Sequence, residues 1–194
     1  MIRVRRTVRF LAGAVLFSAS WAEASSERLP AYEEQLFLAA NGASDRIRVP
    51  VRAVMQAGTF ITVPIAATIA LLAGRRRLAA KLLAGGTLAW FGAKAIKPVG
   101  GRERPLGVLG ESVVVREKIE GDLGWISGHT TVATTLAFAA GEELPGWTRP
   151  ILGGVVGAVG FGRMYVGAHL PHDVVGGAGL GMMISSLLPQ AGDG

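Results

Sequence analysis

Apolar runs long enough to cross a bilayer recur through this sequence, and nothing else limits its fold so strongly. Half of the 194 residues are apolar, only 18% are charged, and glycine occurs 28 times. A soluble domain of this length carries more charge and less glycine. The pattern predicts an all-α polytopic membrane protein, a six-transmembrane-helix bundle forming a single domain over residues 1–194. The spans are expected at approximately 8–24, 54–73, 78–96, 127–142, 150–164 and 171–188, with both termini inside. With no cysteine, the chain has neither a disulfide framework nor thiolate chemistry. Its net charge of +6 sits at the ends of apolar runs and not along one helix face, which points to membrane orientation and excludes a nucleic-acid partner.

The basic flank Met1 to Arg9 precedes the apolar run Phe10 to Ala24. This reads as a retained first span with its N-terminus in the cytoplasm; the alternative is a signal peptide cleaved near Ala22-Glu23-Ala24. A charged connector follows, with Glu27, Arg28, Glu33, Glu34, Asp45, Arg46, Arg48 and Arg52. In it Tyr32, Leu36, Phe37 and Ala40 recur at helical spacing, as in a short amphipathic helix on the membrane surface or one packed on the bundle. Arg75-Arg76-Arg77 and Lys81 make the densest basic connector and place it in the cytoplasm. Alternation then puts the 97–125 loop, the head of the fourth span and the 163–169 turn together on the outer face. Thr130, Thr131, Thr134 and Thr135 mark a face turned toward other helices. Gly153, Gly157 and Gly160, with Gly176, Gly177 and Gly181, predict close packing of the last two spans in the bundle core.

Three segments on that face carry ionisable or phosphate-binding residues. Lys97 and Arg104-Pro105 read K-(x)6-R-P; Ser127-Gly128-His129 stands at a helix head; Arg163, His169 and Asp173 read R-(x)5-H-(x)3-D. Ionisable groups beside a membrane are costly and generally functional. Lys97, Arg104 and Arg163 supply three cations for the dispersed charge of a phosphate, and arginine forks match its oxygens bidentately. Amides at the helix start around Ser127, Gly128 and His129 add donors, and glycine at 128 permits close backbone approach. A neutral histidine can attack phosphorus, so His169 is the expected nucleophile, with Asp173 fixing its tautomer and direction. Pro171 suits the first helical position, which puts Asp173 in a first turn.

Together these motifs resemble the type 2 phosphatidic acid phosphatase superfamily, membrane lipid phosphatases that share their site with vanadium haloperoxidases. Its signature is K-(x)6-R-P, then P-S-G-H, then S-R-(x)5-H-(x)3-D. Ile126 stands here in place of the proline and Gly162 in place of the first serine of the last motif, which is expected to loosen the turn before the fourth span and to remove one phosphate hydrogen bond. The resemblance implies that His169 forms a phosphohistidine and that His129 protonates the leaving oxygen and later activates water. It implies phosphate binding by Lys97, Arg104, Ser127, Gly128 and Arg163, and no cofactor. His-Leu-Pro-His-Asp is not read as a metal site, because ligand spacing is lacking and three basic neighbours repel a cation; His172 is read as a wet interfacial residue. There is no Walker-type loop for ATP.

The expectation is a metal-independent, multi-pass enzyme of the cell (inner) membrane, its site on the extracytoplasmic side. Its partner would be a phosphorylated lipid entering laterally: undecaprenyl diphosphate first on family grounds, then phosphatidate or phosphatidylglycerol phosphate. The competing expectation is a non-catalytic phospholipid-binding or transport protein with the same cationic cluster; a metal-dependent hydrolase is a third. Oligomeric state is not legible in the sequence.

Overall fold

The structure, a computed structural model, describes residues 2–26, 28–119 and 121–189. Met1 of the basic flank and Glu27 of the charged connector lie outside them. The described residues form α1 (Ile2–Ala24), α2 (Ala31–Asn41), α3 (Arg48–Met55), α4 (Thr62–Leu72), α5 (Arg76–Gly100), α6 (Pro105–Leu109), α7 (Gly128–Glu143), α8 (Thr148–Tyr165) and α9 (Pro171–Leu187). They contain no strand, only an isolated antiparallel bridge between Glu103 and Leu123 inside the long loop. The all-helical expectation therefore holds.

The six-span count is not supported in the same way. Among the described residues no single helix is long and apolar enough to cross a membrane; one pair, Asp45–Gly58 with Thr62–Leu72, passes together but is bent by 72°. The second predicted span, 54–73, is divided at this bend. The other runs form continuous helices, interrupted in polarity rather than in backbone: Arg5, Arg6 and Arg9 enter α1, and Arg76, Arg77 and Lys81 enter α5.

α7 is the central element, packed by α5, α8 and α9, while α1 lies along α9, α4 against α5 and α3 against α8. Its four threonines are buried, as a face turned toward other helices requires. The largest apolar core joins Val63 and Ala67 of α4, Leu82 and Ala89 of α5, Val132 and Leu136 of α7, and Leu180 and Ile184 of α9, with Trp125 and Ile126 at its site end. α2 is seated in the bundle by Phe37, Ala40 and Asn41, while Tyr32 and Leu36 stay exposed. It is thus a packed helix and not a surface float.

The glycines behave differently in the last two helices. On α9, a Cβ at Gly177 would lie 2.5 Å from the Ser127 carbonyl oxygen and one at Gly181 2.7 Å from that of Thr131, so both are needed against α7. The opposite side approaches α1: a Cβ at Gly13 would lie 2.7 Å from the Gly179 oxygen, and one at Gly179 2.7 Å from the Gly13 oxygen. On α8, Gly160 meets Val174, but Gly153, Gly154 and Gly157 face open space. The expected core packing of Gly153 and Gly157 is therefore not found, and of the three expected positions on α8 it is Gly160 that meets α9.

Backbone contact between α1 and α9 leaves no room for a side chain. Gly13→Leu should lower stability by about 1–3 kcal/mol or more through overpacking, read as a fall in thermal midpoint of the purified protein; an unchanged midpoint would show that α1 is not packed in this way.

Candidate active site

The 163–169 turn begins where α8 stops. The Arg163 carbonyl accepts from the amides of Ala168 (3.0 Å) and His169 (3.2 Å), folding the chain back so that both side chains serve one site. α9 then starts at Pro171, and Asp173 in its first turn takes the Leu170 amide on Oδ2 at 2.9 Å. The Asp173 carbonyl accepts from the Ser127 amide at 2.9 Å, fixing the second motif to the third. Ser127 Oγ in turn accepts from the Thr130 amide (3.4 Å) and hydroxyl (3.0 Å) and caps α7. Fully buried, this serine is occupied as a helix cap.

Lys97 leaves the last turn of α5 and spends its ammonium on three carbonyls, those of Ile126 (2.9 Å), Gly124 (3.0 Å) and Leu123 (3.3 Å). An ammonium has three donors, so Lys97 shapes the 123–126 loop while keeping its charge at the site. Arg104 does a similar job between two loops, donating Nε–H to Gly121 (2.6 Å) and Nη1–H to Ala168 (2.8 Å). Arg163 is buried and paired with the Glu117 carboxylate. His129, at the head of α7, is half-buried, with its ring edge toward Trp90 at 6.2 Å.

His169 is 3% exposed. It lies in the turn between α8 and α9, outside the predicted spans. Burial, and then the charges of Lys97, Arg163 and Arg104, hold its imidazole well below the ordinary 6.5, against a raising influence of the Gly124 backbone. The charges of all three motif cations therefore act on one ring and favour its neutral form. Nδ1 lies 3.4 Å from Asp173 Oδ2, longer than a well-formed hydrogen bond, and makes none among the described residues. Such contacts are often loose before substrate binds.

Sequence reasoning missed what stands behind Asp173. Arg102 forks onto Glu33 (2.9 and 2.6 Å) and reaches Asp173 Oδ1 at 3.4 Å. Glu33, completely buried, also accepts the His172 amide at 2.9 Å and lies 3.2 Å from its Nδ1. Tyr32 Oη sits 3.2 Å from His172 Nε2. His172 is thus partly buried, its amide on the Glu33 carboxylate and its Nε2 beside exposed Tyr32. Among the described residues no group of His, Asp and Glu side chains is arranged to hold a metal; Arg102 occupies the space between the two carboxylates. A second missed network fixes the segment carrying Glu117. The Asn41 side chain brackets Val114, donating to its carbonyl and accepting its amide, and Arg116 donates to the carbonyls of Asn41 and Tyr165 while stacking on the Tyr165 ring at 4.2 Å.

Both departures from the motif have packing explanations. Ile126 is fully buried and its carbonyl anchors Lys97, so the turn before α7 is held and not loosened. Gly162 faces Met55 and Val51 of α3, where a Cβ would collide with the methionine; it serves helix approach and does not point at the phosphate site. Gly128 has ample room inside the protein, its nearest neighbour for a Cβ being Ala93 at 3.7 Å.

A family model described as the PAP2 superfamily matches residues 78–193, which hold all three motifs. The chain belongs to the PAP2 superfamily. Two solved structures share its fold. Aquifex aeolicus LpxE aligns with a TM-score of 0.72 at 22% identity over 80% of this chain and 93% of its own. The first transmembrane PAP2 type phosphatidylglycerolphosphate phosphatase from Bacillus subtilis aligns with 0.73 at 18% identity over 93% and 94%. At these identities the likeness is one of fold. No curated protein matches the sequence significantly.

Removing Glu33 would leave Arg102 buried without its main partner. Glu33→Ala should cost about 3–5 kcal/mol of stability, while Gln35→Ala, on the exposed side of α2, should cost under about 0.5 kcal/mol. Thermal unfolding of the two variants checks this, and equal midpoints would remove Glu33 from the supporting structure.

Proposed function

We propose that this PAP2 protein is an integral-membrane lipid phosphatase acting on a lipid mono- or diphosphate through a phosphohistidine. One observation carries the reading: the charges of three cations from two of the motifs act on the buried, neutral ring of His169, with Asp173 on its Nδ1 side. A headgroup site alone would need the cations; it would not need an imidazole kept neutral and backed by a carboxylate. The fold shared with a phosphatidylglycerolphosphate phosphatase supports the same class of substrate.

In the proposed mechanism Nε2 of His169 attacks phosphorus in line with the scissile P–O bond. As the P–N bond forms, His129 delivers a proton to the leaving oxygen, and Asp173 stabilises the charge gained by the ring. Arg163, with the charges of Arg104 and Lys97, compensates the phosphoryl oxygens. A water then gives its proton to His129 and attacks phosphorus, the P–N bond breaks, and inorganic phosphate leaves with His169 neutral again. No metal takes part.

The Glu117 carboxylate now occupies Arg163. A carboxylate and a phosphate present similar oxygens to a guanidinium, so substrate phosphate must exchange with Glu117 to reach the clamp. The site is assigned to the extracytoplasmic face of the cell membrane, with the lipid tail entering between helices. Undecaprenyl diphosphate heads the substrate candidates on family grounds, ahead of phosphatidate and phosphatidylglycerol phosphate.

The test is phosphate release from a panel of these lipids by purified protein, with and without chelator and vanadate. Activity should be indifferent to chelator, inhibited by vanadate as a mimic of five-coordinate phosphorus, and lost in His169→Ala with lipid binding retained. Turnover that persists in His169→Ala would refute the nucleophile; turnover abolished by chelator would favour a metal-dependent hydrolase.

A further inference from the structure

α7 leads from the active site at Ser127 to Glu143 at its far end, about 24 Å away at 1.5 Å per residue. At that far end α1, α7 and α8 enclose a cleft of about 500 Å³. It shares no residue with the site described above, and phosphatase chemistry gives it no role.

Five basic side chains border this cleft: Arg5, Arg6 and Arg9 of α1, Lys81 of α5 and Arg149 of α8. Among the described residues lining the cleft, two carboxylates, Glu142 and Glu143, face them. Glu142 takes Arg9 at 2.7 Å and Glu143 takes Lys81 at 2.6 Å. Arg6 is held by the Ser186 and Leu188 carbonyls at 2.9 and 3.2 Å, and Arg149 donates Nε–H to Gly141 at 3.0 Å. Arg6, Arg9 and Lys81 are thus fixed at the cleft by protein partners, while Arg5 and Arg149 stand exposed at its rim, and among the described lining residues cations outnumber carboxylates.

Two further observations point to a ligand. Thr134 borders the cleft, is 2% exposed, and its hydroxyl has no hydrogen-bond partner among the described residues. A buried hydroxyl without a partner is rare and calls for an explanation. The remaining wall is apolar, with Phe138, Leu152 and Val156, and beside it Gly153, Gly154 and Gly157 of α8 face open space. A soluble anion would gain nothing from that wall, whereas an acyl chain would. Basic pockets between helices at the cytoplasmic end of a membrane protein are suited to phospholipid headgroups.

We propose that this cleft is a binding site for an anionic phospholipid, its phosphate held at Arg5 and Arg149 and one acyl chain lying along the glycine face of α8. Its volume accommodates a headgroup and the start of one chain, the rest remaining outside the protein. The site stands on its own geometry and does not depend on the phosphatase reading.

The experiment uses the full chain purified in detergent, titrated with dioleoylphosphatidylglycerol, dioleoylphosphatidylcholine or inorganic phosphate, with bound lipid counted by native mass spectrometry and thermal midpoint followed in parallel. Phosphatidylglycerol should bind and raise the midpoint, and the other two should do neither. Arg5→Gln combined with Arg149→Gln should weaken that binding at least tenfold. Gly153→Leu, which changes no charge and whose Cβ would have no protein atom within 4 Å, should weaken it comparably by filling the chain groove. Equal binding of phosphatidylcholine, or equal protection by inorganic phosphate, would overturn the proposal. So would phosphatidylglycerol binding unchanged in both variants, since the lipid would then be held elsewhere, including at the active site.

Discussion

The structure depends on what gathers at Asp173. Its carbonyl holds the head of α7, its Oδ2 holds the start of α9 and faces His169, and its Oδ1 faces Arg102. One buried residue thereby joins three motifs that are distant in sequence. Such a carboxylate is tolerable only because Arg102 and the Leu170 amide meet it, and Arg102 stands there only because Glu33 grips it from α2. Burial of paired charge contributes little net stability, but losing one partner is costly. The energetic effect is therefore one of position more than of strength.

The same economy explains the cations. Lys97 and Arg104 give hydrogen bonds to loop carbonyls and so build the walls of the site with the groups that charge it. Their combined field falls on His169, whose neutrality is what the proposed nucleophilic attack requires. Arg163 is held differently, against the carboxylate of Glu117. Two cations are committed to architecture and one is paired with the carboxylate that, in the proposed mechanism, substrate phosphate displaces.

Much of the site was legible because its motifs are local. Arg163, His169 and Asp173 are separated by one turn and the start of one helix, so spacing alone brings them together. Ser127 as a helix cap and Pro171 at a helix start follow from the same short-range rules. The Glu33–Arg102 pair was not legible: its members are 69 residues apart and no spacing rule connects a connector helix to a loop. Glu117 and Asn41 were hidden for the same reason. The helical class was readable from composition, and most apolar runs do form continuous helices, but the bend after Gly58 that divides the 54–73 run depends on how the helices pack. Glycine spacing misled on α8, because regular small residues describe an available face and not whether a neighbour covers it.

The central claim is covalent: phosphorus is carried on the ring of His169. Purified protein mixed with a lipid substrate radiolabelled in its terminal phosphate and quenched within milliseconds tests it most directly. The account predicts an acid-labile, base-stable label on the peptide containing His169, absent when that residue is alanine. Rapid turnover with no protein-bound label at any quench time, or a label on a peptide lacking His169, would contradict it.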